Sequence, residues 1–438
     1  MRKDLTTKTM RILILGMNFH PEPTGFGKYT GELAAYLSQA GHQVRVVSAP
    51  PFYPYWQVQP GYRGWKYRRE SWSQVPDIRV YRCPLWVPRA PAGRKRVLHL
   101  LSFALSSLPV MLGQALWRPQ VVLCVAPSLF SAPSALLAAR LCGAKAWLHV
   151  QDFELETAQR LGMPGGENRL ARWAARLERR LLCAFDNVST ISSRMQARLV
   201  AKGLPPERTR LFPNWVDINE IFPIPDGGLS ARRELGLPTD KIIVLYAGNM
   251  VANQGLEILV EAAWGLRKNS AIHFVLCGEG SARAYLERAA RELRNVQFLP
   301  LQAPEKLNRL LNAADIHLLP QRADASDLVL PSKLVGMLAS GKVVLATANP
   351  DTEIGNLVSQ VGVLVPPEDQ PALCEAILKL GIAAQERTRL GMKGRAFVCK
   401  HWSGERVLGA FERGLREFVA GGSKNVSKSL LVKRHHSN

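Results

Sequence analysis

Several short stretches of this chain hold residues able to handle a phosphorylated substrate. Thr24-Gly25-Phe26-Gly27-Lys28-Tyr29-Thr30 follows an apolar run and opens a helix-like segment. A glycine-rich turn at a helix N-terminus offers free N–H groups and the positive end of the helix dipole to phosphate. The spacing after Gly27 departs from GxGxxG and from a P-loop, so a plain strand-to-helix turn suits Gly25, Gly27 and Lys28 equally. Asn214, in Leu211-Phe212-Pro213-Asn214-Trp215-Val216-Asp217, stands where two series of elements join. Tyr246-Ala247-Gly248-Asn249, with Gln254-Gly255 beyond it, and Cys277-Gly278-Glu279-Gly280 repeat a strand–glycine–helix arrangement. Each of these segments can present backbone N–H groups to a diphosphate. Asn214, Gly248, Asn249, Gln254, Gly278 and Glu279 are therefore candidate donor-site residues.

Leu328-Val329-Leu330-Pro331-Ser332-Lys333-Leu334 opens another helix, and proline suits a first helical turn. Ser332 and Lys333 then lie at its positive end, with a hydroxyl and an ammonium available for phosphate, and Asp327 beside them. A solvated surface lysine is the alternative for Lys333. Asp152, after the run Lys145–Val150, could orient a donor sugar or an acceptor hydroxyl. It could equally cap a helix over Phe153–Gln159. No D-x-D sequence occurs, and the seven cysteines (Cys83, Cys124, Cys142, Cys183, Cys277, Cys374 and Cys399) include no C-x-x-C pair. The expectation is no metal, no cofactor and a reducing compartment.

The elements that must position these residues are legible as alternation. Apolar runs at Arg11–Leu15, Val44–Ser48, Gln120–Val125, Lys145–Val150 and Asn187–Ile191 alternate with helix-like stretches such as Lys28–Ala40 and Ser131–Cys142. Runs rich in Val, Ile and Leu suit strands buried on both faces of a parallel sheet. After Pro213 the pattern restarts, with strands at Lys241–Ala247 and Ala271–Cys277 and helices over Leu256–Leu266 and Ala282–Leu293. Two such series predict an α/β chain of two doubly wound domains. The predicted division is 10–221 and 222–400, with Phe222–Gly228 as linker. A last amphipathic helix covers 401–420 (Ser403–Ala420), and 421–438 forms a disordered basic tail.

Net charge is +22, and residues 1–200 hold 27 Lys/Arg against 11 Asp/Glu. A basic first half calls for an anionic partner (nucleic acid, anionic lipid or a phosphorylated substrate), unless the surface is merely basic. Met1 to Met10 is polar, without the apolar core of a signal peptide. Val97–Trp117 is free of formal charge if His99 is neutral, and is flanked by Arg94, Lys95, Arg96 and Arg118. Four polar side chains and Pro109 dilute it. Within 94–118 a helix or helix pair that dips into one leaflet is expected, against a helix packed inside the first domain or a true span.

The order of motifs resembles the retaining GT-B glycosyltransferases of family 4, from Arg11 to about Ala420. Four stretches are similar to the colanic-acid-biosynthesis branch: Asn18 to Glu32, Ala49-Pro50-Pro51-Phe52-Tyr53-Pro54, Pro213-Asn214-Trp215-Val216-Asp217, and Leu330-Pro331-Ser332-Lys333-Leu334 with Met337-Leu338-Ala339-Ser340-Gly341. The resemblance implies two Rossmann-like domains facing each other across a cleft, with the nucleotide sugar bound mainly by the second. The Gly25–Gly27 turn would approach the donor, with His20 and Tyr53 on the acceptor side and Asp152 and Lys333 in catalysis. The final helix would return to the first domain. The acceptor would be an undecaprenyl-diphosphate-linked saccharide, met by a cytoplasmic protein peripheral on the anionic inner leaflet, with no nucleic acid. Departures are specific. Leu328 and Gly336 occupy the positions of a Glu-x7-Glu pair, Asn249 and Gln254 replace an Arg and a Lys, and Gln151 replaces the His of a His-Asp. The rivals are a nucleic-acid-binding protein, an NAD-dependent sugar epimerase and a phosphorylase-like GT-B enzyme. The missing GxGxxG weighs against the epimerase.

Overall fold

The computed structural model describes residues 9–23, 25–73, 75–89, 93–126, 129–153, 169–251, 254–324 and 332–421. The chain divides into two units, one of residues up to Pro213 together with those from Leu408 on, the other Asn214–Val407. The division is earlier than expected. Phe222–Gly228 is held inside the second unit, where Asn312 receives the Ile224 amide at 2.9 Å and donates to the Phe222 carbonyl at 2.9 Å.

The first unit carries β1 (Arg11–Gly16), α1 (Gly25–Gln39), β2 (Gln43–Ser48), β3 (Arg68–Trp72), β4 (Val75–Arg82), α2 (Gly93–Ala115) and β5 (Val121–Ala126). Then come α3 (Ala132–Cys142), β6 (Lys145–Val150), α4 (Arg169–Ala184), β7 (Asn187–Thr190), α5 (Ser193–Ala201) and β8 (Thr209–Leu211). The sheet order is β3-β4-β2-β1-β5-β6-β7-β8, parallel except for β3 against β4. All six residues of β5 are buried, as a strand covered on both faces requires. The order reverses between β1 and β5, so the loops beyond their carboxyl ends form the natural binding edge.

The second unit carries α6 (Leu229–Glu234), β9 (Ile242–Ala247), α7 (Glu257–Gly265), β10 (Ile272–Cys277), α8 (Arg283–Ala289), β11 (Val296–Leu299) and α9 (Leu307–Ala313). It continues with β12 (Ile316–Pro320), α10 (Ser332–Ala339), β13 (Val343–Thr347), α11 (Glu353–Val361), β14 (Val363–Val365), α12 (Gln370–Ile382) and α13 (Ala384–His401). Its all-parallel sheet runs β11-β10-β9-β12-β13-β14, with the reversal between β9 and β12. Thr352 and Asp369 cap α11 and α12 through the amides of Gly355 and Ala372, at 3.0 and 2.9 Å. The last helix, α14 (Gly404–Val419), packs from Leu408 onward in the first unit. There Phe411 stacks on Phe212 at 4.1 Å and Phe418 meets Trp147 at 5.2 Å.

The apolar segment is one helix, α2, not a pair; Pro109 lies inside it. It is long and apolar enough to cross a membrane by length and composition. His99, Phe103, Ser107 and Met111, each four residues after the last, are buried on one face, while Leu105 is 69% exposed. The serines are satisfied locally: Ser102 donates to the His99 carbonyl at 2.7 Å and Ser107 to that of Ala104 at 3.2 Å. Their hydroxyls alone therefore say little against hydrocarbon. One face of the helix is packed on the domain. The expected basic tail lies outside the described residues, apart from Gly421.

Candidate active site

In the first unit the binding edge is organised around a residue absent from the sequence candidates, Glu22. Its Oε1 accepts the Phe52 and Tyr53 amides at 3.0 and 3.1 Å, and its Oε2 accepts Asn18 Nδ2 at 2.8 Å. Burial pushes the Glu22 carboxyl up to about 7, against the opposing pull of those donors. A Cβ on Gly27 would stand 2.5 Å from Glu22 Oε2, so only glycine lets the helix start come this close. A Cβ on Gly25, which adopts φ +63°, would meet the Tyr53 ring at 3.4 Å. The glycine turn, Tyr53 and the loop after β2 are thus one cluster. His20 joins it by stacking near Trp72, centroids 4.6 Å apart, and burial lowers its pKa. Arg82, itself buried, donates to the carbonyls of His20 and Ala49 and to Glu70 Oε1. Lys28 instead pairs with Glu32 at 2.6 Å on the half-exposed side of α1. The hint of Glu22 in sequence was a lone carboxylate between Pro21 and Pro23; the same pattern suits a solvated turn.

In the second unit the loops beyond β9 and β10 interlock at the reversal point. A Cβ on Gly278, at φ +148°, would fall inside the Gly248 carbonyl oxygen, and one on Gly280 inside that of Met250. The Gly248 amide donates to the Cys277 carbonyl at 2.9 Å and the Gly278 amide to that of Leu299 at 3.2 Å. Contrary to the expectation from sequence, these two amides are therefore not free for a diphosphate. Their glycines serve loop closure, and Gly248 makes room for a lysine stem: its Cβ would lie 3.3 Å from Lys333 Cδ.

Lys333, in the first turn of α10, reaches back to this closure. Its Nζ donates to Gln254 Oε1 at 2.8 Å and to the Tyr246 hydroxyl at 3.0 Å, and lies 4.5 Å from the Tyr246 ring centroid. The Tyr246 hydroxyl is 2.7 Å from both Gln254 Oε1 and the Asn249 carbonyl. The ammonium is withdrawn from water, which brings the Lys333 pKa down to about 7. The lysine is thus no solvated surface residue. Gln254, where the resemblance implied a cation, instead accepts from the Lys333 ammonium. Ser332 is exposed at the start of α10. Glu279 pairs with Arg283 at 2.9 Å, placing an unforeseen guanidinium beside the Gly278 loop.

Two further candidates belong to other segments. Asn214 is buried in the segment where Val216 bridges to Ser403. Asp152 is half-buried just beyond β6, and the helix it might cap lies outside the described residues, as does Asp327. Among the described residues no cluster of three His, Cys, Asp or Glu could hold a metal ion. His149 and His317 sit in the two sheets, where burial lowers each to about 3 and keeps it neutral.

Comparison with known proteins agrees with this architecture. Residues 24–215 match the glycosyl transferase 4-like domain and residues 241–381 the group 1 glycosyl transferases. A protein of Escherichia coli (strain K12) assigned to colanic acid biosynthesis as the glycosyl transferase WcaI is 41% identical over 94% of this chain and 99% of its own length. Sucrose-phosphate synthase from Thermosynechococcus elongatus superposes with TM-score 0.73 at 19% identity, over 94% of this chain and 100% of its own. Anabaena Alr3699/HepE, solved with UDP and glucose, gives TM-score 0.66 at 15% identity, over 93% and 99%. With parallel sheets in both units and this match along nearly its whole length, the chain belongs to the family 4 glycosyltransferases of GT-B fold.

Proposed function

We propose that this glycosyltransferase moves a sugar, with retention, from a nucleotide-sugar donor on its second unit to a lipid-linked saccharide, in the assembly of a cell-surface polysaccharide such as colanic acid. It works at the cytoplasmic face of the membrane without metal or cofactor. One observation carries the donor reading: the Lys333 ammonium is withdrawn from water among Gln254, Tyr246 and Gly248, beyond the carboxyl end of β9. As the glycosidic bond breaks through an oxocarbenium-like state, negative charge gathers on the departing diphosphate. A fixed ammonium in a dry site stabilises that charge far more than a solvated one. Lys333 thus takes over the part played by cations at Asn249 and Gln254 in other members, and Ser332 adds a hydroxyl. Asp152, beyond β6, orients the acceptor hydroxyl or the donor sugar. Glu22 holds Tyr53 and the glycine turn in place.

The membrane reading rests on α2. Its outer face shows Leu98 and Leu105, and Arg94 and Lys95 are exposed at its start. Such a helix lies in the interface with its basic end on headgroups. Incubation with a panel of sugar nucleotides and a membrane lipid extract, followed by mass spectrometry and NMR of the anomeric centre, tests the chemistry. A lipid product with inverted configuration, or none from any donor, would overturn it. Flotation with anionic vesicles should be salt-sensitive; complete solubility at low salt would overturn the membrane reading.

A further inference from the structure

A cavity of about 210 Å³ in the first unit shares only Arg82 with the groups described so far. Tyr62, Arg63, Lys66, Tyr67, Arg68 and Arg82 line it, four cations and two phenols. One carboxylate attends them: Glu70 bonds Arg82 Nε at 2.8 Å and Arg68 Nε at 3.2 Å. Arg63 and Lys66 pair with no carboxylate among the described residues and are exposed. The site is built rather than merely basic. The guanidinium carbons of Arg68 and Arg82 lie 5.3 and 5.4 Å from the Tyr62 ring centroid. Backbone bonds from Gln59 to Pro51 at 2.9 Å and from Leu85 to Gly64 at 2.6 Å hold the loop that carries Arg63 and Lys66. One water needs about 10–15 Å³ of such space, so the cavity has room for an anion much larger than a water.

Its position gives the anion a direction. On one side Arg82 holds the His20 carbonyl, in the cluster with Tyr53 and the glycine turn. On the other, the Tyr67 hydroxyl donates to the Ser106 carbonyl of α2 at 2.9 Å, next to exposed Leu105. A diphosphate seated here would have an apolar helix face on one flank and the acceptor-side residues on the other. A lipid-linked saccharide has that same order of lipid, diphosphate and sugar.

We propose that this cavity binds a diphosphate, that of the lipid-linked acceptor, through Arg63 and Lys66 over a floor of Arg68 and Arg82. This rests on the acceptor reading given above. The same chemistry could be met by free pyrophosphate or by a nucleotide, and kinetics separate these sources. Inorganic pyrophosphate is titrated by calorimetry into the full-length protein, wild type and Arg63→Ala/Lys66→Ala, with Arg140→Ala as an exposed-charge control in the same unit. Both targeted side chains are exposed, and circular dichroism confirms folding. The double variant should bind about tenfold or more weakly, having lost two charge-assisted donors, with the control unchanged. With a polyprenyl-diphosphate-linked saccharide in phosphatidylcholine vesicles, acceptor KM should rise by a similar factor while donor KM and kcat hold. An unchanged titration alongside a preference for the lipid-linked acceptor would overturn the cavity alone. A raised donor KM with unaltered acceptor KM would assign the cavity to the nucleotide and overturn the proposal. Equal turnover of a water-soluble saccharide would overturn the acceptor reading and the proposal together.

Discussion

Replacing Lys333 with methionine should stabilise the free protein while disabling the enzyme. Methionine keeps the length of the stem beside Gly248 and removes the ammonium. The Tyr246 hydroxyl, 2.7 Å from both Gln254 Oε1 and the Asn249 carbonyl, has one proton to share between them. Burial depresses the lysine from 10.5 to about 7. At about 1.36 kcal/mol per pH unit, that is roughly 5 kcal/mol against the charged form. Relaxation around a residue that is only half-buried overall reduces the expected gain to about 1–3 kcal/mol. The sign with pH follows. Between about 7 and 10.5 the unfolded chain holds this proton and the folded one does not, so wild-type stability rises with pH across that window. The advantage of Lys333→Met is therefore full below pH 7 and fades towards pH 10.5. Urea denaturation at pH 6 and pH 9 measures it directly. In kinetics the same variant loses the charge that meets the leaving diphosphate, and kcat/KM should fall by about 10²–10³. Destabilisation at pH 6 would show the ammonium to be a structural prop. Unaltered kcat/KM would remove it from the donor site. Either result refutes the reasoning.

Donor KM in the wild type should rise above pH 7 as the Lys333 ammonium is lost, by up to about tenfold per pH unit, and the rise should vanish in Lys333→Met; a flat wild-type profile would contradict this. Gly278→Ala should cost about 3 kcal/mol or more, because its Cβ meets the Gly248 carbonyl at φ +148°, whereas Gly236→Ala, with open space around it, should cost only about 1 kcal/mol; thermal melts compare the two. Glu22→Ala should raise acceptor KM more than donor KM by freeing Phe52 and Tyr53, and Glu22→Gln should restore part of the loss; an equal effect on both substrates would argue for general unfolding. Between pH 4.5 and about 7 the folded state retains the Glu22 proton more tightly than the unfolded chain, so this group's contribution to stability falls as pH rises through that window. EDTA should leave turnover intact; loss restored by Mn²⁺ would end the metal-independent reading.

The alternation of β and α elements, and most of their borders, could be read from the chain because it depends on near neighbours. Lys145–Val150 and the strands ending at Ala247 and Cys277 are runs mostly apolar at consecutive positions and short enough for a strand covered on both faces. The glycine loops after β9 and β10 were visible too, but their use was not. Whether Gly248 exposes an amide or admits a lysine depends on Lys333, far along the chain. The hairpin β3–β4 escaped notice because Arg68–Trp72 is mostly charged and polar. It is a strand by virtue of pairing with β4 at the edge, not by burial. The unit border at Pro213 depended on Asn312 capturing the Pro-Gly segment that looked like a linker. Glu22 is the sharpest case. Its buried carboxylate needs two amides some thirty residues away, and no local pattern distinguishes it from a solvated turn residue. Periodicity sets which face of an element is dry, a property of adjacent residues. Which polar groups then share a desolvated space is decided only when distant loops close on one another, and there the site was made.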